Sequence, residues 1–102
     1  MSETDYYVDG GLITGANYSA IYNQNALTCS KVNFVGNNNK HGSDSNKFNA
    51  GSGGGAIRSG TSNTSQVPSL TLQYCNFQGN TSTGAGGAVL VGVSNDVQTS
   101  YD

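Results

Sequence analysis

The chain has 102 residues, of which Gly, Asn, Ser and Thr supply 15, 13, 13 and 9, so it builds one small domain rich in small and polar side chains. Only 10% of the residues are charged and the formal net charge is −2. Its 4 cations, spread singly, exclude a basic nucleic-acid binder, and the low charge argues against a self-repelling disordered coil. The longest apolar stretch, Ala88-Val89-Leu90-Val91, is far short of the roughly 20 residues of a membrane-spanning helix. No apolar stripe of helical period survives the scattered Gly and Asn, which excludes a helical bundle.

Met1 opens a segment with neither a cationic start nor an apolar run, so it is not a signal peptide. The composition is instead that of extracellular β proteins, and the two readings agree if the chain is a segment of something longer, exported by a signal elsewhere. Residues 1–19 read as an N-terminal cap or partial rung. Within them Gly10-Gly11-Leu12-Ile13 has two readings. It is a first "Gly-Gly-Ala-Ile" element, which is favoured, or it ends an earlier unit. In the second case Ile13-Thr14-Gly15-Ala16-Asn17 copies a Phe-x-Gly-Asn turn with one residue inserted.

The rest of the chain repeats itself. Ala26-Leu-Thr-Cys-Ser-Lys-Val-Asn-Phe-Val-Gly-Asn37 lies without a gap over Ser69-Leu-Thr-Leu-Gln-Tyr-Cys-Asn-Phe-Gln-Gly-Asn80, with Leu, Thr, Asn, Phe, Gly and Asn identical. Gly54-Gly55-Ala56-Ile57 matches Gly86-Gly87-Ala88-Val89, and Ser19-Ala20-Ile21-Tyr22 is a glycine-poor version of the same element. The units are a rung over 20–37, a loop and glycine turn over 38–55, a rung over 56–80 and a partial rung over 81–102. The polar stretches 38–52 and 59–67 read as loops.

Apolar residues alternate within each short element, as in Leu70/Leu72 and Cys75/Phe77, which is the period of a strand with one buried face. Three such strands per unit cannot close a core alone. Stacked units can, if Phe34 falls over Phe77, Leu27 over Leu70, and Ile21 over Ile57 and Val89. The expected fold is therefore all-β, a right-handed parallel β-helix of about three rungs. Phe stacks inward, Asn37 and Asn80 take a left-handed corner and form an amide ladder, and the paired glycines allow a sharp turn. Cys29, under Leu72, and Cys75, over Val32, read as inward-facing free thiols. Both ends of so short a stack are open sheet edges that invite pairing with another chain, and nothing at the C-terminus reads as a cap. Self-association through these ends is one expectation; a fragment of a longer helix is the other.

Two alternating tetrapeptides, Phe34-Val-Gly-Asn37 with Phe77-Gln-Gly-Asn80, and Gly54-Gly55-Ala56-Ile57 with Gly86-Gly87-Ala88-Val89, resemble the repeats of the chlamydial polymorphic outer-membrane proteins. The resemblance covers roughly residues 20–93. It implies the passenger of an autotransporter-like adhesin, at the cell surface, in the outer membrane or secreted, that binds a host-cell protein or glycan. It also implies that Phe34, Asn37, Gly54, Gly55, Ala56, Ile57, Phe77, Asn80, Gly86, Gly87, Ala88 and Val89 take part in that adhesion.

Catalytic candidates are thin. His41, the single histidine, stands in a polar loop without a Ser/His/Asp context. Glu3, Asp5, Asp9, Asp44, Asp96 and Asp102 gather mainly at the two ends, whereas β-helical polysaccharide lyases and hydrolases need charges clustered on one strand face. Only Lys31 and Arg58 fall near rung strands. No metal-binding or phosphate-binding pattern completes itself, so no cofactor is expected. Asn17, Asn63 and Asn80 open glycosylation-type triplets, and a ladder role for Asn80 predicts that it stays unmodified. The expected function is a non-catalytic, adhesin-like repeat module. The alternatives are a structural spacer and a fragment of a β-helical polysaccharide-active enzyme.

Overall fold

The computed structural model describes residues 5–40, 53–60, 68–84, 86–94 and 97–101, with the backbone alone for residues 5, 6, 93, 94 and 97–101. Among these residues the fold is all-β, with twelve short strands and no helix. In chain order they are β1 (Asp5–Asp9), β2 (Leu12–Thr14), β3 (Ile21–Asn23), β4 (Ala26–Ser30), β5 (Asn33–Val35), β6 (Asn38–Asn39), β7 (Ile57–Gly60), β8 (Ser69–Gln73), β9 (Asn76–Gln78), β10 (Thr81–Ser82), β11 (Val89–Ser94) and β12 (Val97–Tyr101). They form four sheets: β1-β4-β8, β2-β5-β9, β6-β10 and β3-β7-β11-β12. Every pairing is parallel except that of β11 with β12.

The chain visits the sheets in a fixed order, so one pass makes a tier. The middle tier, β3 to β6, has four strands rather than the three expected, because Asn38–Asn39 pairs with Thr81–Ser82 and so belongs to a sheet. Ser59 and Gly60 likewise belong to β7. The two polar stretches are therefore shorter at their edges than the sequence suggests. What remains of them, 41–52 and 61–67, with His41 and Asn63, lies outside the described residues.

The register agrees with the repeat. Leu27 lies on Leu70, Thr28 on Thr71, Cys29 on Leu72 and Phe34 on Phe77. In the fourth sheet Ile21 lies on Ile57 and Ile57 on Val89. Burial alternates along β4, with Leu27 and Cys29 turned inward, and β8 keeps the same phase. Leu27, Cys29, Val32, Phe34, Ala56, Ile57, Ala88 and Val89 make the core. In the first two sheets burial is deepest on β4 and β5, and in the fourth on β7 and β11, because each of these strands has a neighbour on both sides. Leu70, Leu72, Cys75 and Phe77 are only partly buried, because β8 and β9 are the last strands of their sheets.

Three expectations for the chain ends are corrected. Gly10 and Gly11 do not open a Gly-Gly-Ala-Ile element; they turn a corner, and Ile13 pairs with Phe34. Leu12–Thr14 thus ends a first tier, since its alternation fits the second sheet. The copy of the Phe-x-Gly-Asn turn carries no inserted residue: Asn38 N–H donates to the Ala16 carbonyl at 2.9 Å, as Thr81 N–H does to Asn37 at 2.8 Å, so Ala16 itself takes the Asn position. Finally, the C-terminal side of the fourth sheet is covered. The chain reverses after β11, and Val97–Tyr101 pairs back along it antiparallel, from Val89↔Tyr101 to Ser94↔Val97. The period-2 pattern marks such a strand but not its direction.

Candidate functional site

The Phe-x-Gly-Asn residues are built into the stack. Phe34 is fully buried and its ring lies face to face with that of Phe77, with centroids 4.8 Å apart and planes within 5°. That separation matches the strand spacing of a sheet, so the rings stack because the backbones do. The left-handed corner falls on glycine and not on asparagine: Gly15, Gly36 and Gly79 have φ of 78°, 67° and 65°. Asn37 and Asn80 do the next job. Asn80 Nδ2 donates to the Phe34 carbonyl at 2.9 Å, and its Oδ1 accepts from Asn37 N–H at 3.0 Å and from Asn37 Nδ2 at 2.9 Å. One tier lower, Asn37 Nδ2 donates to the Ile13 carbonyl at 3.0 Å and its Oδ1 accepts from Ala16 N–H at 3.2 Å. Each Asn therefore closes the turn of the tier beneath it. Ala16 closes none, and no tier lies beneath it among the described residues.

The glycine elements are as tightly fixed. Gly54 and Gly86 have φ of 87° and 70°, which admit glycine with least strain. Gly54 N–H donates to the Gly86 carbonyl at 2.9 Å, Gly55 to Gly87 at 2.9 Å and Ala56 to Ala88 at 2.9 Å. A Cβ on Gly55 would overlap the carbonyl oxygens of Gly87 and Thr81. Ser19, the counterpart in the glycine-poor copy, uses its hydroxyl to donate to the Gly54 carbonyl at 2.6 Å.

The structure therefore gathers the twelve residues that the resemblance singles out into two interior ladders. Phe34, Asn37, Gly54, Gly55, Ala56, Ile57, Gly86, Ala88 and Val89 are buried; Phe77, Asn80 and Gly87 are half-buried. The two cysteines are free, and the Cys75 thiol donates to the Cys29 carbonyl at 3.4 Å. Burial, with a smaller contribution from the charge of Cys75, pushes the Cys29 thiol up to about 11, so it is held as an unreactive thiol near neutral pH.

What faces outward is different in kind. Tyr7 is 63% exposed and shares an outer column with Thr28 and Thr71; Tyr74, at the next corner, is 89% exposed. Tyr74 and Lys31 occupy equivalent corners and adopt left-handed φ of 56° and 59°, where most non-glycine residues are strained. Exposed Asn33 and Asn76 make an outer pair on the second sheet, beside exposed Leu12. On the fourth sheet the Arg58 guanidinium lies 4.3 Å over the Tyr22 ring. Beside it, Tyr22, Asn23, Gln24 and Asn25, with the apolar Val8, Ile21 and Leu27, line an open cleft of about 390 Å³. Asn23 is structural there: its Nδ2 donates to Ser59 Oγ at 2.9 Å and to the Ser69 carbonyl at 3.0 Å.

The outward tyrosines and this cleft are the surface features that the repeat search passes over. Their signal is the parity of each strand, which becomes readable once the inward residues are known. No protein-family model, no curated protein and no solved structure matches this chain.

Proposed function

We propose that the stacked sheets are a right-handed parallel β-helix and that the chain is an adhesin-like repeat module of a cell-surface, outer-membrane or secreted protein. Its task is non-catalytic binding of a host-cell protein or glycan. The observation that carries the reading is the division of labour between the faces: both repeated tetrapeptides are spent on ladders, while large aromatic side chains point to solvent. Right-handedness follows from the general preference of parallel crossovers. Exposed tyrosine offers a rigid amphipathic surface that stacks on sugar rings and on apolar protein groups. In this reading Phe34, Asn37 and the glycine elements support adhesion by holding the faces in place, and the ligand meets the outer faces of the sheets and the segments 41–52 and 61–67.

The burial of both tetrapeptides also favours a second reading, in which the stack is a spacer that carries another domain. The two are separated by the double variant Tyr7→Ser/Tyr74→Ser, which alters the outer rim of the first sheet and leaves the core intact. An adhesin loses about tenfold or more in binding to host cells or a glycan array, with an unchanged thermal melt. Binding that survives the double variant contradicts the role given to that face, and an unaltered chain that binds neither cells nor glycans supports the spacer.

A further inference from the structure

The two ends of the stack present the same pair of sheets. At one end β8 and β9 are the last strands of their sheets, and beside them Pro68, Leu70, Leu72, Phe77, Val89 and Val91 line an apolar groove of about 650 Å³. At the other end β1 and β2 are the first strands of the same two sheets. Asp5–Asp9, a two-residue corner and Leu12–Thr14 have the same spacing as Ser69–Gln73, a two-residue corner and Asn76–Gln78. The edge from Ser69 to Gln78 carries no charge, so Asp9 meets no like charge there.

We propose that the β8–β9 edge is an assembly surface for the β1–β2 tier of a second copy of this chain, and that β12 keeps it closed. In the register that β8 and β9 keep on β4 and β5, Val8 of the incoming copy lies over Leu72 and its Ile13 over Phe77, both half-buried apolar groups seeking cover. The incoming β3 then has to pair with β11. That place is taken, because β12 runs antiparallel along the same edge. The joint is reversible: Ala16 of the incoming copy brings no amide to the Phe77 carbonyl, so it lacks the bond that Asn80 gives to Phe34. The inference rests on the pairing register and is independent of the adhesin reading.

The test displaces β12 in the full chain with Gln98→Pro/Thr99→Pro. Successive N–H groups of a strand point to opposite sides, so one of the two prolines removes a bond to β11. Sedimentation velocity over a range of concentrations is expected to show the unaltered chain as a monomer of 10.5 kDa. The variant's average mass at least doubles and keeps growing, because a head-to-tail contact does not close. Adding Leu72→Lys, an inward charge on the receiving edge, returns the variant to a monomer. A folded variant that stays monomeric, an unaltered chain that polymerises, or oligomers indifferent to Leu72→Lys each overturn the proposal. Should the two prolines together unfold the chain, Val8→Cys and Leu72→Cys proteins are made in a Cys29→Ser/Cys75→Ser background that carries a single one of the prolines, so that β12 is still loosened, and are mixed under mild oxidation. A disulfide between the two introduced thiols supports the register; no crosslink at any concentration contradicts it.

Discussion

Phe34→Ala is expected to cost about 3–5 kcal/mol, the range of a phenylalanine removed from a closed core. Phe34 is fully buried, stacks on Phe77 and lies in register with Ile13, so its loss leaves a void that neither neighbour fills. A small domain has only about 5–15 kcal/mol in total, and the loss is a large share of it. Phe77→Ala, by contrast, removes a half-buried ring from the last tier and costs about half as much. Urea unfolding of both variants gives the comparison directly. Equal losses would mean that the last tier is covered as fully as the middle one, against the groove found there. The same experiment bears on adhesion: a binding defect in Phe34→Ala is expected to follow the loss of structure, and a folded, non-binding Phe34→Ala protein would give the ring a direct role in recognition.

Asn37→Asp is expected to be as damaging at neutral pH, and to be rescued by acid. The change keeps one oxygen to accept from Ala16 N–H, but it turns the other against the Ile13 carbonyl and Asn80 Oδ1, which are both acceptors. A buried carboxylate facing acceptors costs about 3–5 kcal/mol. Burial and those acceptors raise its folded pKa above the unfolded value of about 4, so the folded state holds the proton more tightly. A group of this sign keeps its stability below the unfolded pKa and loses it as pH rises through the folded one. The gap between the variant and the unaltered chain is therefore small near pH 4 and widens towards pH 7, as read from denaturation midpoints at the two values. A gap that is the same at both would show that the amide's donor role is not what holds the turn.

These two residues also mark how far the sequence could be read. The like-on-like register of Leu27, Phe34 and Ile21 was legible because a period-2 pattern and a gapless repeat leave one alignment that turns the repeated apolar residues to the same side. The ladder of Asn37 and Asn80 was legible as a ladder but not in its chemistry. Asparagine and glycine both tolerate a left-handed backbone, and in the fold that duty falls to Gly36 and Gly79. The end of the first tier was misread for a related reason. Gly10-Gly11-Leu12-Ile13 matches a glycine element in composition, whereas its pairing partner Phe34 lies far along the chain and is invisible to local comparison. The strand at the other end was not foreseen: Val97–Tyr101 was read only as part of a partial rung over 81–102, and its return along β11 is decided by tertiary pairing. The outward face was the least legible part. Exposed positions are under no packing constraint, so Tyr7 and Tyr74 stand out only after the core is assigned.

These tiers, closed by β12 at one sheet edge, are expected to form one self-supporting cooperative unit. A far-UV circular dichroism melt of the 102-residue chain at several protein concentrations tests it most directly. The expected result is a β spectrum and one cooperative transition whose midpoint does not move with concentration. A coil spectrum, or β signal that gathers only as concentration rises, would contradict it.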